Sequence, residues 1–168
     1  MFEIRVLTPD DASIYRGLRL QALTHDSHAF LVDPDQYRQV PLETIQGQIS
    51  SEPEGKFTLG AFQNGNLIGM CTFLRETHPK IRHKGKVVAV YVHPQARGQG
   101  VARKLMETLI ERVRSYGTVE QIQLGVSHTQ IAAQKLYESL GFQVFAHEKQ
   151  AVKLADGYLD EEWRVLVL

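Results

Sequence analysis

Two hydrophobic periods divide this chain into segments. Phe2, Ile4 and Val6 alternate with polar neighbours, which predicts a strand over residues 2–7. Thr8-Pro9-Asp10-Asp11 reads as a helix start, with Thr8 and Asp10 as cap residues. Ile14, Leu18 and Ala22 follow at four-residue spacing and carry that helix to about His25. Residues 28–41 are irregular, punctuated by Pro34 and Pro41, and Pro41-Leu42-Glu43 opens a shorter helix to about Ser50. Apolar runs over 56–62 and 67–74 flank Asn64-Gly65-Asn66, the signature of a hairpin. A basic stretch, 78–86, then leads into VVAVYV at 87–92, an unbroken apolar run that reads as a buried central strand.

The longest helical pattern comes next. Val101, Leu105, Leu109 and Val113 form one stripe, widened by Ala102, Met106 and Ile110, and Gly117 is its natural stop. A strand is expected over 121–126, then a helix over 129–140 with Thr129 as N-cap and Gly141 just past its end. Residues 142–145 and 162–168 complete the strands, the last following the Asp156-Gly157 turn. Strands and helices alternate, but three strands in the middle run consecutively. That favours an α/β chain with a mixed sheet over a purely parallel one. No repeat or linker breaks the pattern, so residues 1–168 read as one domain.

Composition narrows the function classes. Lys plus Arg and Asp plus Glu are each 19, so the net charge is zero and a nucleic-acid partner is not expected. No apolar run is long enough to span a membrane, and the N-terminus lacks a signal-peptide pattern. Cys71 stands alone, which excludes an internal disulfide and suits a cytoplasmic protein. Cys71 reads as a small buried side chain and Trp163 as a core or sheet residue. The seven histidines show no paired ligand spacing, so no metal is expected.

The candidate chemistry lies between the central strand and the long helix. Arg97-Gly98-Gln99-Gly100 empties into the helix N-terminus, where N–H groups converge and the helix dipole favours an anion. The Walker A pattern is excluded because Val101-Ala102 replace its Lys and Ser or Thr. A dinucleotide fingerprint is disfavoured by Arg103 at its third small position and by residues 93–97 between strand and glycines.

Two motifs together resemble the GCN5-related N-acetyltransferase (GNAT) superfamily. Val92, Pro94, Arg97, Gly98, Gly100 and Ala102 match its acetyl-CoA signature. Ala133, Leu136, Tyr137, Gly141 and Phe142 match its second motif, with Gln130 where the family usually has Asn. The resemblance implies a mixed, mostly antiparallel twisted sheet of about seven strands flanked by about four helices. It also implies a splay between the central strand and the following one, in which acetyl-CoA lies as cosubstrate. The cofactor contacts it implies are the backbone of Val90, Tyr91 and Val92, the turn Arg97, Gly98, Gln99, Gly100, Val101 and Ala102, and Gln130, Ala133 and Tyr137. Val92 N–H takes the role of oxyanion donor and Tyr137 that of general acid toward the departing thiolate.

The implied activity is direct acetyl transfer, in a ternary complex, to a primary amine of a small molecule or a peptide, by a monomer or homodimer. The alternative is a non-catalytic acyl-CoA-binding regulatory module. The central strand carries no carboxylate for a general base, which leaves Glu76, His78, His128 and ordered water. The resemblance implies an acceptor site built from residues 25–40 and 148–160, which makes Phe30, Tyr37 and Tyr158 candidates, with Asp33 and Asp35 as charges able to attract an amine; Glu76 joins them by chain position.

Overall fold

Seven strands form one sheet in this computed structural model, which describes residues 1–168. They are β1 (Glu3–Val6), β2 (Lys56–Gln63), β3 (Asn66–Arg75), β4 (Lys84–Val92), β5 (Gln121–Ser127), β6 (Gln143–Leu154) and β7 (Gly157–Val167), in the spatial order β1-β2-β3-β4-β5-β7-β6. All neighbours are antiparallel except β4 and β5. Five α-helices accompany them: α1 (Ala12–His25), α2 (Pro34–Arg38), α3 (Leu42–Ile49), α4 (Val101–Ser115) and α5 (Ile131–Ser139). The additional helix, α2, lies in the stretch expected to be irregular; Asp33 accepts the Gln36 N–H and Pro34 occupies its first turn.

Each face of the sheet has its own core. Leu105, Met106, Leu109 and Val113 of α4 are fully buried against Phe57, Leu59, Cys71 and Phe73. On the other face Tyr15, Leu18, Ala22 and Leu23 of α1 pack with Ile45, Ile49, Met70 and Tyr91. The buried stripe of α1 is offset from the expected one, since Ile14 is exposed and Tyr15 takes its place. The β2–β3 hairpin turns through Asn64 and Gly65, both at positive φ, as its Asn-Gly pair requires.

Several element ends differ from the sequence expectation. Strand β4 begins at Lys84, inside the basic stretch. Strands β6 and β7 are much longer than their apolar runs, because β6 is an exposed edge strand without a buried face to impose alternation. Helix α5 starts at Ile131 with Gln130 at the N-cap position, while Thr129 is held by Ser127 Oγ, 3.0 Å from its own Oγ1.

One irregularity shapes the middle of the sheet. Ala89 and Val90 stand opposite Cys71 alone, and Ala89 has φ +55°, so β4 carries a bulge. Pairing of β4 with β5 runs from Lys84↔Gln121 only to Lys86↔Gln123. Past that point residues 87–92 and 124–127 diverge, while β5 stays paired to β7 on its other edge. The result is a wedge that opens toward the C-terminal ends of two parallel strands.

Candidate active site

Ladder geometry sets which backbone groups face the wedge. His93 N–H donates to Ile68 C=O at 2.8 Å, so the neighbouring Gly69↔Val92 pair is the non-hydrogen-bonded kind. The N–H and C=O of Val92 therefore point away from β3, into the gap. There the Val92 carbonyl accepts a hydrogen bond from Arg97 Nε at 3.0 Å.

A cavity of about 400 Å³ lies in the wedge. Its strand walls come from residues 86–90 and 124–127, and Gln130, Ala133 and Tyr137 of the α5 region close one side. Phe30, Leu31 and Val32 cover another side, with Arg19 behind them, and Glu161 and Trp163 of β7 complete it. A second concavity, of about 480 Å³, lies between α1 and the β2–β3 hairpin. Its polar lining is five amides (Gln21, Gln63, Asn64, Asn66, Gln95) and the His93 imidazole, without a carboxylate, thiol or phenol.

Tyr137 is placed by the end of its own helix. Gly141, at φ +93°, lets Phe142 N–H reach Tyr137 C=O at 3.0 Å and Gly141 N–H reach Glu138 C=O at 3.0 Å. This is a Schellman closure, and its usual apolar contact is the edge-on packing of Phe142 on the Tyr137 ring at 5.9 Å. Burial raises the Tyr137 phenol well above its ordinary range, so it stays protonated at neutral pH.

The turn at the start of α4, the candidate anion cradle, rests on two left-handed glycines, Gly98 (φ +75°) and Gly100 (φ +81°). No atom lies within 4 Å of where a Cβ would sit on either, so the space beside the turn is open. The first intrahelical bond is Lys104 N–H to Gly100 C=O, which leaves the N–H groups of Val101, Ala102 and Arg103 without helical partners. The side chains of Val101 and Ala102 pack into the core, so only their backbone faces the cradle. Gln99 folds back onto Gln95 C=O. Arg97 is committed to positioning: besides Val92 C=O it bonds Asp26 at the end of α1 at 2.6 Å. Arg103 is similarly held by Ser139 Oγ at 2.7 Å.

Of the residues expected from sequence, Val90, Gln130, Ala133, Tyr137 and Phe30 line the cavity. Val92 lies beyond it, toward the open end. Tyr91 and Tyr37 point into the opposite core, and burial pushes the Tyr37 phenol up to about 12. Tyr158 is half exposed at the β6–β7 turn, outside the cavity. Glu76 pairs with Lys86 Nζ at 2.9 Å, His128 Nδ1 accepts Asp160 N–H at 3.1 Å, and His78 sits in the exposed 78–83 loop. Cys71 is fully buried and burial drives its thiol far up, as suits a packing residue.

Sequence reading missed Arg19, Glu161 and the site role of Trp163. Glu161 faces Glu148 across the β6–β7 ladder, and burial, then the Glu148 charge, raises its carboxyl. Trp163 Nε1 donates to Glu148 Oε2 at 3.1 Å and thereby fixes that second carboxylate. Only the pairing register, which no local pattern encodes, brings these groups to the wedge.

The chain is similar to known proteins. The profile of the acetyltransferase (GNAT) family matches residues 20–142. A mycothiol acetyltransferase of Kocuria rhizophila is 30% identical over 150 residues, 80% of this chain and 49% of that protein. The L-amino acid N-acyltransferase MnaT of Escherichia coli is 36% identical over 72 residues, 43% of this chain and 41% of that one. The chain thus spans less than half the length of these curated relatives. Among solved structures, the putative acetyltransferase yncA of Salmonella typhimurium, with its cofactor acetyl-CoA, aligns at TM-score 0.81 and 26% identity over 100% of this chain and 94% of that one. No helix is long and apolar enough to cross a membrane. With its glycine turn, its splayed central strands and a family match over most of its length, this chain belongs to the acetyltransferase (GNAT) family.

Proposed function

We propose that the protein transfers an acetyl group from acetyl-CoA to the primary amine of a small molecule, by direct attack in a ternary complex. The observation that carries this reading is the wedge itself: two strands with unpaired inner edges, ending beside an open, N–H-lined turn. The unpaired backbone of β4 suits an extended amide-bearing arm, as in strand addition. The free N–H groups at 101–103 suit a pyrophosphate. Acetyl-CoA, when bound there, supplies an acetyl group activated as a thioester.

The protein's own groups divide the remaining work. Val92, whose N–H points into the gap, offers it to the acyl carbonyl, and Val90 lines the cavity beside the bulge. Tyr137 holds a proton on its Oη for the departing sulfur. Glu161, whose raised carboxyl makes it a stronger base, takes the proton from the incoming ammonium. This base replaces Glu76 and His128, which are engaged elsewhere. The apolar walls, Leu124, Val126 and Trp163, limit water around the reacting atoms.

The test is thiol release from acetyl-CoA across a panel of primary amines. Release above the hydrolytic background with at least one amine is expected. Tyr137→Phe should lower turnover about 10²- to 10⁴-fold, the range of general acid catalysis, with acetyl-CoA affinity little changed. Turnover unaffected by that substitution would remove Tyr137 from the mechanism. Binding without release for every amine would favour a regulatory acyl-CoA module instead.

A further inference from the structure

Three buried side-chain polar atoms have no hydrogen-bond partner in this protein: Arg19 Nη1, Tyr37 Oη and Tyr91 Oη. They share one neighbourhood. The Arg19 guanidinium lies 4.7 Å from the centroid of the Phe30 ring, which meets the Tyr91 ring edge-on at 6.4 Å. The Arg19 charge also reaches the Tyr37 phenol, where it opposes the effect of burial. Of the three, Arg19 alone lines the wedge cavity.

An unpartnered guanidinium is an unusual resident of such a place. Arginine is always charged and presents its donors as a planar fork matched to a carboxylate. Leaving a buried charged donor without an acceptor is costly, more so than for a neutral group. No carboxylate of this protein meets the need, since none of its ion pairs includes Arg19. The acids nearest the cavity are Glu161, which lines it, and Glu148, which faces Glu161 across the β6–β7 ladder and is held by Trp163; neither pairs with Arg19. The cavity lining therefore includes a cation outside every ion pair, Arg19, a carboxylate, Glu161, and apolar side chains, among them Leu31, Val32 and Trp163. That is the complement of a zwitterion with an apolar side chain.

We infer that Arg19 binds a carboxylate on the acceptor, so that the acceptor is a free amino acid with an apolar side chain. The inference rests on the reading of the wedge as an acetyl-transfer site. Its amine is directed toward Glu161 and its carboxylate toward Arg19, with the Phe30 ring holding the guanidinium in place.

The decisive comparison uses ligands that differ only in the carboxylate, N-acetyl-L-leucine and N-acetyl-3-methylbutylamine. Both are titrated by NMR into the protein without coenzyme, in wild type, Arg19→Met and Arg19→Lys. Wild type should bind the acid at least ~10-fold more tightly, the lower range for a hydrogen bond to a charged group. Arg19→Met should abolish that preference and Arg19→Lys should keep part of it, which guards against a folding defect in the first variant. Coenzyme A affinity, titrated separately, should be the same in all three. The inference is overturned if wild type fails to prefer the acid or if the preference survives in Arg19→Met. It is also overturned if coenzyme A affinity falls by the same factor as the acid's, which would assign Arg19 to the coenzyme's phosphates. Failure of coenzyme A to bind wild type would instead remove the acetyl-transfer reading, independently of the carboxylate result.

Discussion

Gly100→Ala isolates what the left-handed turn does for the site. Gly100 has φ +81° and no atom within 4 Å of a built Cβ, so the substitution introduces no clash. Its cost is conformational. Alanine in the left-handed region loses about 1–2 kcal/mol, offset by roughly 0.4–1 kcal/mol because the unfolded chain becomes less flexible. A net loss near 1 kcal/mol follows, about 2–4 °C in melting temperature for a chain of this size. Gly65, in the β2–β3 hairpin, is a matched control with φ +79° and an equally open Cβ position, and it lines none of the wedge. Urea denaturation should show similar losses for Gly65→Ala and Gly100→Ala. Calorimetric titration with coenzyme A should separate them: affinity unchanged in Gly65→Ala and at least ~10-fold weaker in Gly100→Ala, because relief of the strain tilts the N–H groups of 101–103. Wild-type coenzyme affinity in both variants would refute the cradle; equal weakening in both would mean that only global stability is being measured.

Gly141→Ala forces a side chain into φ +93° and brings its Cβ to 3.4 Å from Leu166, so it should cost about 1–2 kcal/mol. Because the same closure seats Tyr137, turnover should fall while coenzyme affinity holds, as checked by steady-state kinetics beside calorimetry. Asp11 accepts bonds from Arg5 and from Thr8 N–H, and the Arg5 guanidinium is the main cause that lowers its carboxyl from 3.8 to about 2. A lowered native value means that the stabilisation is present above pH 3.8 and is lost as pH falls toward 2. Arg5 is substantially exposed, so Asp11→Asn should cost only about 1 kcal/mol at pH 7, with the gap to wild type closing between about pH 4 and 2 in denaturant titrations.

The glycine turn and its flanking elements, the proposed cofactor half of the site, were legible because they are local. A strand, a glycine turn and a helix occupy contiguous sequence, and the phosphate cradle is a property of that stretch alone. The Tyr137 position was equally readable, since Gly141 and Phe142 carry both the motif and the closure that seats the ring. The bulge was not legible, because Ala89 sits in a run of β-branched and small apolar residues with nothing to announce a positive φ. The acceptor half was misplaced for a different reason. The family resemblance nominated Tyr37 and Tyr158, yet one turned into the opposite core and the other stayed at an exposed turn. Arg19, Glu148, Glu161 and Trp163 come together only through the β5-β7-β6 pairing and the packing of α1. All four lie outside residues 20–142, the part of the chain that carries the family pattern.

The central claim is that acetyl-CoA occupies the wedge between β4 and β5. Amide hydrogen exchange with and without acetyl-CoA tests it most directly. The account predicts new protection at residues 88–92, at 99–103 and at 130–133, with the β2–β3 hairpin turn and its groove against α1 unchanged. Protection confined to that groove, or no change along β4 at saturating acetyl-CoA, would contradict it.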